Sequence, residues 1–328
     1  MRPTFISQHF LGGSWAALGA VALVCVSATG LRGATPAATG ARSGAPAPAA
    51  AIKSFATLQQ AADALVDAAE RFDMGALSAL FGPSIDDIIL AGEPAQGRQR
   101  ANDFVVKVRE KQSISLDKNK TRAFLLVGNE DWPFPIPIVK RAGRWSFDAA
   151  AGRQELLYRR IGANELDAIT ICRGYVDAQE DYAFRGRERQ GVNQYAQQII
   201  STPGKQDGLA WQNPDGTWGG PIGEPIARAI AQGYSKGEPY HGYVFKILTG
   251  QGPAAPLGQL DYVVKGVMIG GFALVAAPAE YGITGVQTFI VSNDGVVYQK
   301  DLGPTTREQF AKMERFNPDK SWTPVQEE

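Results

Sequence analysis

His241 is the residue from which any chemistry in this chain has to start. It stands in Tyr240-His241-Gly242-Tyr243, and the other histidine is His9, in the extreme N-terminal stretch. Imidazole is the side chain that most readily moves a proton near neutral pH. With Trp211, Trp218 and Tyr240, His241 could line a cleft, and Lys205 stands nearby in sequence. A lone histidine between two tyrosines beside a strand is more often structural than catalytic. Other candidates carry less. Asp294, in Asn293-Asp294-Gly295, reads as a turn former before it reads as a metal ligand. Asp86 and Asp87 are neighbours, so on a helix they point roughly 100° apart and make a poor catalytic pair. Calcium near Asp294 or across residues 177–181 lacks the regular loop spacing.

Several chemistries are disfavoured by the residue inventory. A zinc site needs several His or Cys ligands, and one of each remains once the leader is set aside. A Ser-His-Asp triad would have to use His241, and no Gly-x-Ser-x-Gly elbow supplies its serine. Gly204-Lys205 lacks the spacing of a phosphate loop. No Gly-x-Gly-x-x-Gly stretch stands between a strand and a helix. No cofactor is expected. A Ser-Lys or carboxylate-pair hydrolase stays open, because such pairs have no fixed spacing.

The bulk composition narrows the partners. The chain has 328 residues, long enough for two domains. Lys plus Arg and Asp plus Glu are both 33, which removes the electrostatic case for nucleic acid as main partner. Arg2 followed by the apolar run 15–28 reads as an export signal, too short to span a membrane comfortably, ending near residue 34. Cys25 invites a lipoprotein reading, but Val24 stands where a small residue is wanted. Cleavage would leave Cys172 as the sole cysteine, with no intrachain disulfide. Residues 35–53 are an Ala/Pro/Gly/Ser-rich tether. These features place the protein in the periplasm or outside the cell, touching a membrane through its export signal alone.

The elements that would position the candidates fall into two α+β domains, 54–161 and 162–328, the second with an insertion at 185–239. In the first, 57–71 has helical spacing with Thr57 as cap. Short helices are expected at 73–81 and 85–90, and another at 98–111. The period then changes to two, giving strands at 121–127, 136–141 and 145–148. Between them, Asp131-Trp132-Pro133-Phe134-Pro135-Ile136-Pro137 cannot be a central strand. Trp132 and Phe134 form either a binding ridge or a cap on the core. In the second domain, Gly162 begins a hinge, and 164–183 reads as an amphipathic helix capped by Asn164. Its apolar stripe carries Leu166, Ile169, Cys172 and Val176, with Cys172 a buried thiol. Short helices are expected at 192–200 and 222–234. Strands follow at 243–248, 272–276, 287–292 and 296–298, with a hairpin turn at Asn293-Asp294-Gly295.

Three resemblances attach to these patterns. Helices followed by a sheet ending in Gly143-Arg144-Trp145-x-Phe147-Asp148 are similar to the cone-shaped nuclear-transport-factor-2-like (NTF2-like) fold. Asn164-Glu165-x-x-Ala168-Ile169, Tyr175-x-x-Ala178-Gln179 and the later Gly282-x-Thr284-Gly285 with Phe289 and Asp294-Gly295-Val296 resemble type IV pilin and pseudopilin headgroups over residues 164–303. The N-terminus departs from pilins: near Gly13-Ser14-Trp15 there is no glutamate of the polymerising kind. Asp131-Trp132-Pro133-Phe134-Pro135, Asn164-Glu165-Leu166-Asp167, Ser201-Thr202-Pro203-Gly204-Lys205, Tyr240-His241-Gly242-Tyr243 and Tyr298-Gln299-Lys300-Asp301 together resemble an uncharacterised bacterial family, domain of unknown function 2950. That resemblance implies an exported bacterial protein without an established activity.

The expectation is therefore a non-enzymatic cell-envelope module for binding or assembly, partnered by another envelope protein or component. Trp132, Phe134, Trp211, Tyr240 and His241 are its candidate binding residues. The competing expectation is an envelope hydrolase with His241 as the catalytic candidate in a closed pocket.

Overall fold

The computed structural model describes residues 52–82, 94–184, 193–223 and 239–326. The fold is mixed, of the α+β class, with several mostly antiparallel sheets and none closed. The chain divides into two compact units, with the boundary after Leu156.

In the first unit, α1 (Leu58–Glu70) begins where Thr57 accepts a hydrogen bond from Gln60 N. Asp73 caps α2 (Met74–Phe81) in the same way, and Gly82, at φ 89°, ends it. Helix α3 (Pro94–Glu110) follows; the expected helix at 85–90 lies outside the described residues. The sheet is formed by β1 (Gln112–Leu116), β2 (Arg122–Val127), β3 (Trp132–Pro133), β4 (Ile138–Arg141) and β5 (Arg144–Phe147). Its order is β1-β2-β4-β5, with β3 paired to β2. Strand β1 was not among the expected elements. Its polar alternation, Gln-Ser-Ile-Ser-Leu, follows a helix without a break and carries little hydrophobic signal. Leu125, Ile138 and Phe147 of the sheet pack with Leu65, Leu80 and Phe81 of the helices.

Helix α4 (Ala149–Phe184) has 36 residues and crosses the unit boundary. Three expectations are corrected here. The helix starts after Asp148, whose side chain accepts from Ala151 N at 3.1 Å, so Asn164 is interior and not a cap. Gly162 lies within the helix and is no break in it, since a single glycine costs a helix about 1 kcal/mol and packing overrides that. The buried stripe runs through Ala168, Cys172, Tyr175, Gln179 and Tyr182, whereas Leu166 is exposed. The spacing 168, 172, 175, 179, 182 keeps one face inward at 3.6 residues per turn; Leu166 is off that face.

The second unit then adds β6 (Gln198–Ile200), β7 (Gly208–Gln212) and β8 (Trp218–Gly219), a small three-stranded sheet. A helix was expected over 192–200. Here 198–200 is instead a strand parallel to β7, and the segment's hydrogen bonds go elsewhere: Tyr195 N donates to Met268 O, and Ala196 is paired by Gln179. Residues 224–234 of the other expected helix fall outside the described residues.

The main sheet contains β9 (Tyr243–Leu248). Next come β10 (Gly250–Gln251), β11 (Leu260–Asp261), β12 (Val263–Val264) and β13 (Val267–Met268), short strands of a looped excursion. Strands β14 (Ala273–Pro278), β15 (Gln287–Ser292) and β16 (Val297–Asp301) return to the main sheet. Helix α5 (Thr306–Lys312) precedes β17 (Arg315–Phe316) and β18 (Thr323–Pro324). The main sheet has the order β18-β16-β15-β14-β9 and is antiparallel throughout. Asp294 accepts from Ser292 Oγ and Val296 N, and Gly295 has φ 77°, so Asp294 is a turn residue. Lys246 Nζ donates to Phe310 O and Ala311 O, closing the carbonyl end of α5 with a cation.

Candidate functional site at the Tyr240 to Tyr243 turn

Tyr240 and Tyr243 exchange both backbone hydrogen bonds, at 2.8 and 3.0 Å. Between them His241 has φ 49° and Gly242 has φ 72°. Two successive left-handed residues define the primed turn that suits a two-residue hairpin. Glycine adopts it freely; histidine does so at some cost. Gly242 is also required for space, since a Cβ there would lie 2.5 Å from Asn164 Nδ2.

Helix α4 supplies the other half of the site. Asp167 Oδ2 lies 2.7 Å from His241 Nδ1. Asn164 Nδ2 donates to Thr284 O at 2.8 Å. Glu165 Oε1 accepts from Val286 N at 2.9 Å and Gln287 N at 3.0 Å. Three polar residues within one helical turn thus tie α4 to the β9 turn and to the chain entering β15. The Tyr240 ring stands edge-on to the imidazole, with centroids 4.4 Å apart. Partial burial, then the Asp167 charge, raises the Tyr240 phenol above its ordinary value. Burial and, next, the Glu165 carboxylate raise that of Tyr243. Tyr243 is fully buried and donates to Gln287 O at 2.8 Å.

The arrangement can do one piece of chemistry. A carboxylate on Nδ1 fixes the tautomer and leaves Nε2 as the working nitrogen. The dyad is open to solvent: the side chains of His241 and Asp167 are 35% and 42% exposed. Among the described residues, no closed pocket of the kind a hydrolase reading expects surrounds the imidazole. Among the described residues, no group of three His, Cys, Asp or Glu side chains is placed to hold a metal.

The remaining candidates are distributed differently. Trp211 is buried, with Nε1 2.7 Å from where a Gly219 Cβ would stand, so it packs down on β8 and does not line an open cleft. Trp218 is half-buried against the second unit's core. Lys205 is exposed in a turn closed by its own N–H on Thr202 O. In the first unit, Phe134 stacks on Phe81 and lies tilted against Phe104, at 6.4 and 5.1 Å between centroids, and Trp132 lies half-buried on the core. Cys172 is fully buried, and burial pushes its thiol up to about 12.

Asp167, Glu165 and Thr284 were missing from the expected site. A signal for two of them was present. Asn164, Glu165 and Asp167 form a polar cluster with Ala168, Ile169 and Ile171 four residues on, so no local cation pairs with them. Such a cluster has to find its partners elsewhere in the fold.

Neither a curated protein nor a solved structure matches the chain. The likenesses to pilin headgroups and to NTF2-like folds accordingly rest on sequence pattern alone. Residues 52–325 match the family model described as protein of unknown function (DUF2950), and the chain belongs to that family.

Proposed function

We propose that the protein is an exported, non-enzymatic module of the cell envelope that binds or assembles with another envelope component. One observation carries the reading. The polar side chains with most chemical potential, His241, Asp167, Glu165 and Asn164, are spent on joining α4 to the main sheet. The export half rests on Arg2, the apolar run 15–28 and the tether that follows.

The test is capture of partners from an envelope extract, identified by mass spectrometry and repeated with the partner as bait. A defined partner that is kept by His241→Ala and lost by Trp132→Ala supports the binding role and assigns it to the half-buried indole. Recovery of the uncleaved protein in the cytoplasmic fraction would overturn the export half.

The Asp167–His241 distance of 2.7 Å favours a second reading, an envelope hydrolase using Nε2 as general base. On that reading, turnover in a broad ester, amide and glycoside screen falls at least about a hundredfold in His241→Ala. A screen without turnover removes it.

A further inference from the structure

The first unit gathers cations at one end of its sheet. Strands β2 and β4 are antiparallel, with Arg122 opposite Val139, so the β1–β2 turn and the β4–β5 turn lie side by side. Lys140 N donates to Thr121 O at 2.8 Å, which joins them. Lys118, Lys120, Arg122, Lys140, Arg141 and Arg144 are all exposed there. Two carboxylates belong to the cluster. Asp117 is turned onto its own loop, accepting from Thr121 N, Arg122 N and Thr121 Oγ1, and the Arg122 N–H leads in holding its carboxyl below the usual range. Asp148 accepts from Arg141 at 3.2 Å. Six cations less two carboxylates leave a formal excess of four, in a chain whose net charge is zero.

Register sets two of these cations opposite each other: Arg141 and Arg144 are direct partners across the β4–β5 ribbon. Both guanidinium groups are engaged, Arg144 donating to Ser54 Oγ and Ser54 O at 2.8 Å and Arg141 to Asp148. Lys140 Nζ stands over the Trp145 ring, 5.5 Å from its centroid. Nothing lies within 4 Å of a Cβ built on Gly143, so the tip projects into solvent. Lys118, Lys120 and Arg122, on the neighbouring turn, are exposed beside it.

We propose that this end of the first unit docks on the surface of an anionic phospholipid bilayer. Neither turn contains the aromatic ring on which single-stranded nucleic acid would stack. The N–H groups of Thr121 and Arg122, which could have cradled one phosphate, are taken by Asp117. What remains is a spread of point charges with Leu116 exposed beside them at the end of β1, a combination suited to a charged, partly apolar plane. The inference uses neither His241 nor Trp132 and stands apart from the binding role above.

The test is co-sedimentation with vesicles, using protein purified without residues 1–34, so that the apolar leader does not bind lipid itself. Phosphatidylcholine vesicles with and without phosphatidylglycerol are compared at rising sodium chloride. Binding is expected to the phosphatidylglycerol vesicles alone and to weaken with salt. Lys118→Glu with Lys120→Glu should lower the partition by about tenfold or more, with the urea midpoint unchanged. His241→Ala and Trp132→Ala should sediment as wild type does. Equal partition into both vesicles, no binding to either, or retention by the double variant would overturn the proposal. So would displacement from the lipid by a short oligonucleotide at equal charge, which would make nucleic acid the occupant.

Discussion

Gln179 shows how a single side chain can do the work of a strand. Its amide is fully buried, donating to Ala196 O and Tyr175 Oη and accepting from Ala196 N. Gln179→Leu leaves both backbone groups of Ala196 without that partner, and we expect a loss of about 3 kcal/mol in urea unfolding. A loss within about 0.5 kcal/mol would mean that water replaces the amide. Leu257 is the opposite case. It has φ 67° and is 99% exposed, while Gln251 ties down the carbonyls of Pro256 and Gly258 around it. Leu257→Gly removes the strain without losing burial and should stabilise the protein by about 0.5–1 kcal/mol. Single residues were legible in sequence where their role is local. Thr57 as a cap and Asp294 as a turn former need only their neighbours. Gln179 was not, because its partner is 17 residues away across a segment whose own period misleads.

At the scale of elements, packing decides against propensity at Gly152. Alanine would suit a helix better, yet a Cβ there would stand 2.6 Å from Ile136 Cγ1. Gly152→Ala is expected to destabilise by about 1–3 kcal/mol. Adding Ile136→Ala should cost less than the two changes made separately, because the second removes the clashing atom. Strict additivity in the cycle would show that the helix shifts instead. The same helix shows why phase was harder to read than existence. Residues 164–183 were recognisable as helical. Their inward face was not, because Tyr175, Gln179 and Tyr182 are amphipathic or polar and Leu166 is the stronger apolar signal. Its start was hidden too, since the cap is Asp148, at the end of β5, and Asn164 merely looks like one.

For the molecule as a whole, buried phenols and a thiol set a limit on the alkaline side. Burial pushes Cys172 from 9.0 and Tyr262 from 10.0 up to about 12, and raises Tyr175 and Tyr243 as well. The folded state holds these protons more tightly than the unfolded state does. Their contribution is therefore complete below about pH 9 and is lost as the pH climbs toward 12. The urea midpoint should fall steadily between about pH 9 and pH 11. A flat profile would show that these groups ionise without unfolding. In protein lacking residues 1–34, where Cys172 is the sole cysteine, Ellman's reagent should react with the unfolded chain and spare the native one.

The main sheet is completed late along the chain. Strand β18, at 323–324, forms one edge of it, and Val325 N donates to Val297 O. Strand β17 pairs with β10, 65 residues earlier in the chain, and the side chains of Asn164 and Glu165 reach backbone 120 or more positions ahead. A ribosome that has released β9, β14 and β15 has still not produced the strand that finishes them. The edge of the second unit's sheet is therefore closed only once residues 323–325 are available, so a chain cut before them would leave β16 as an open edge.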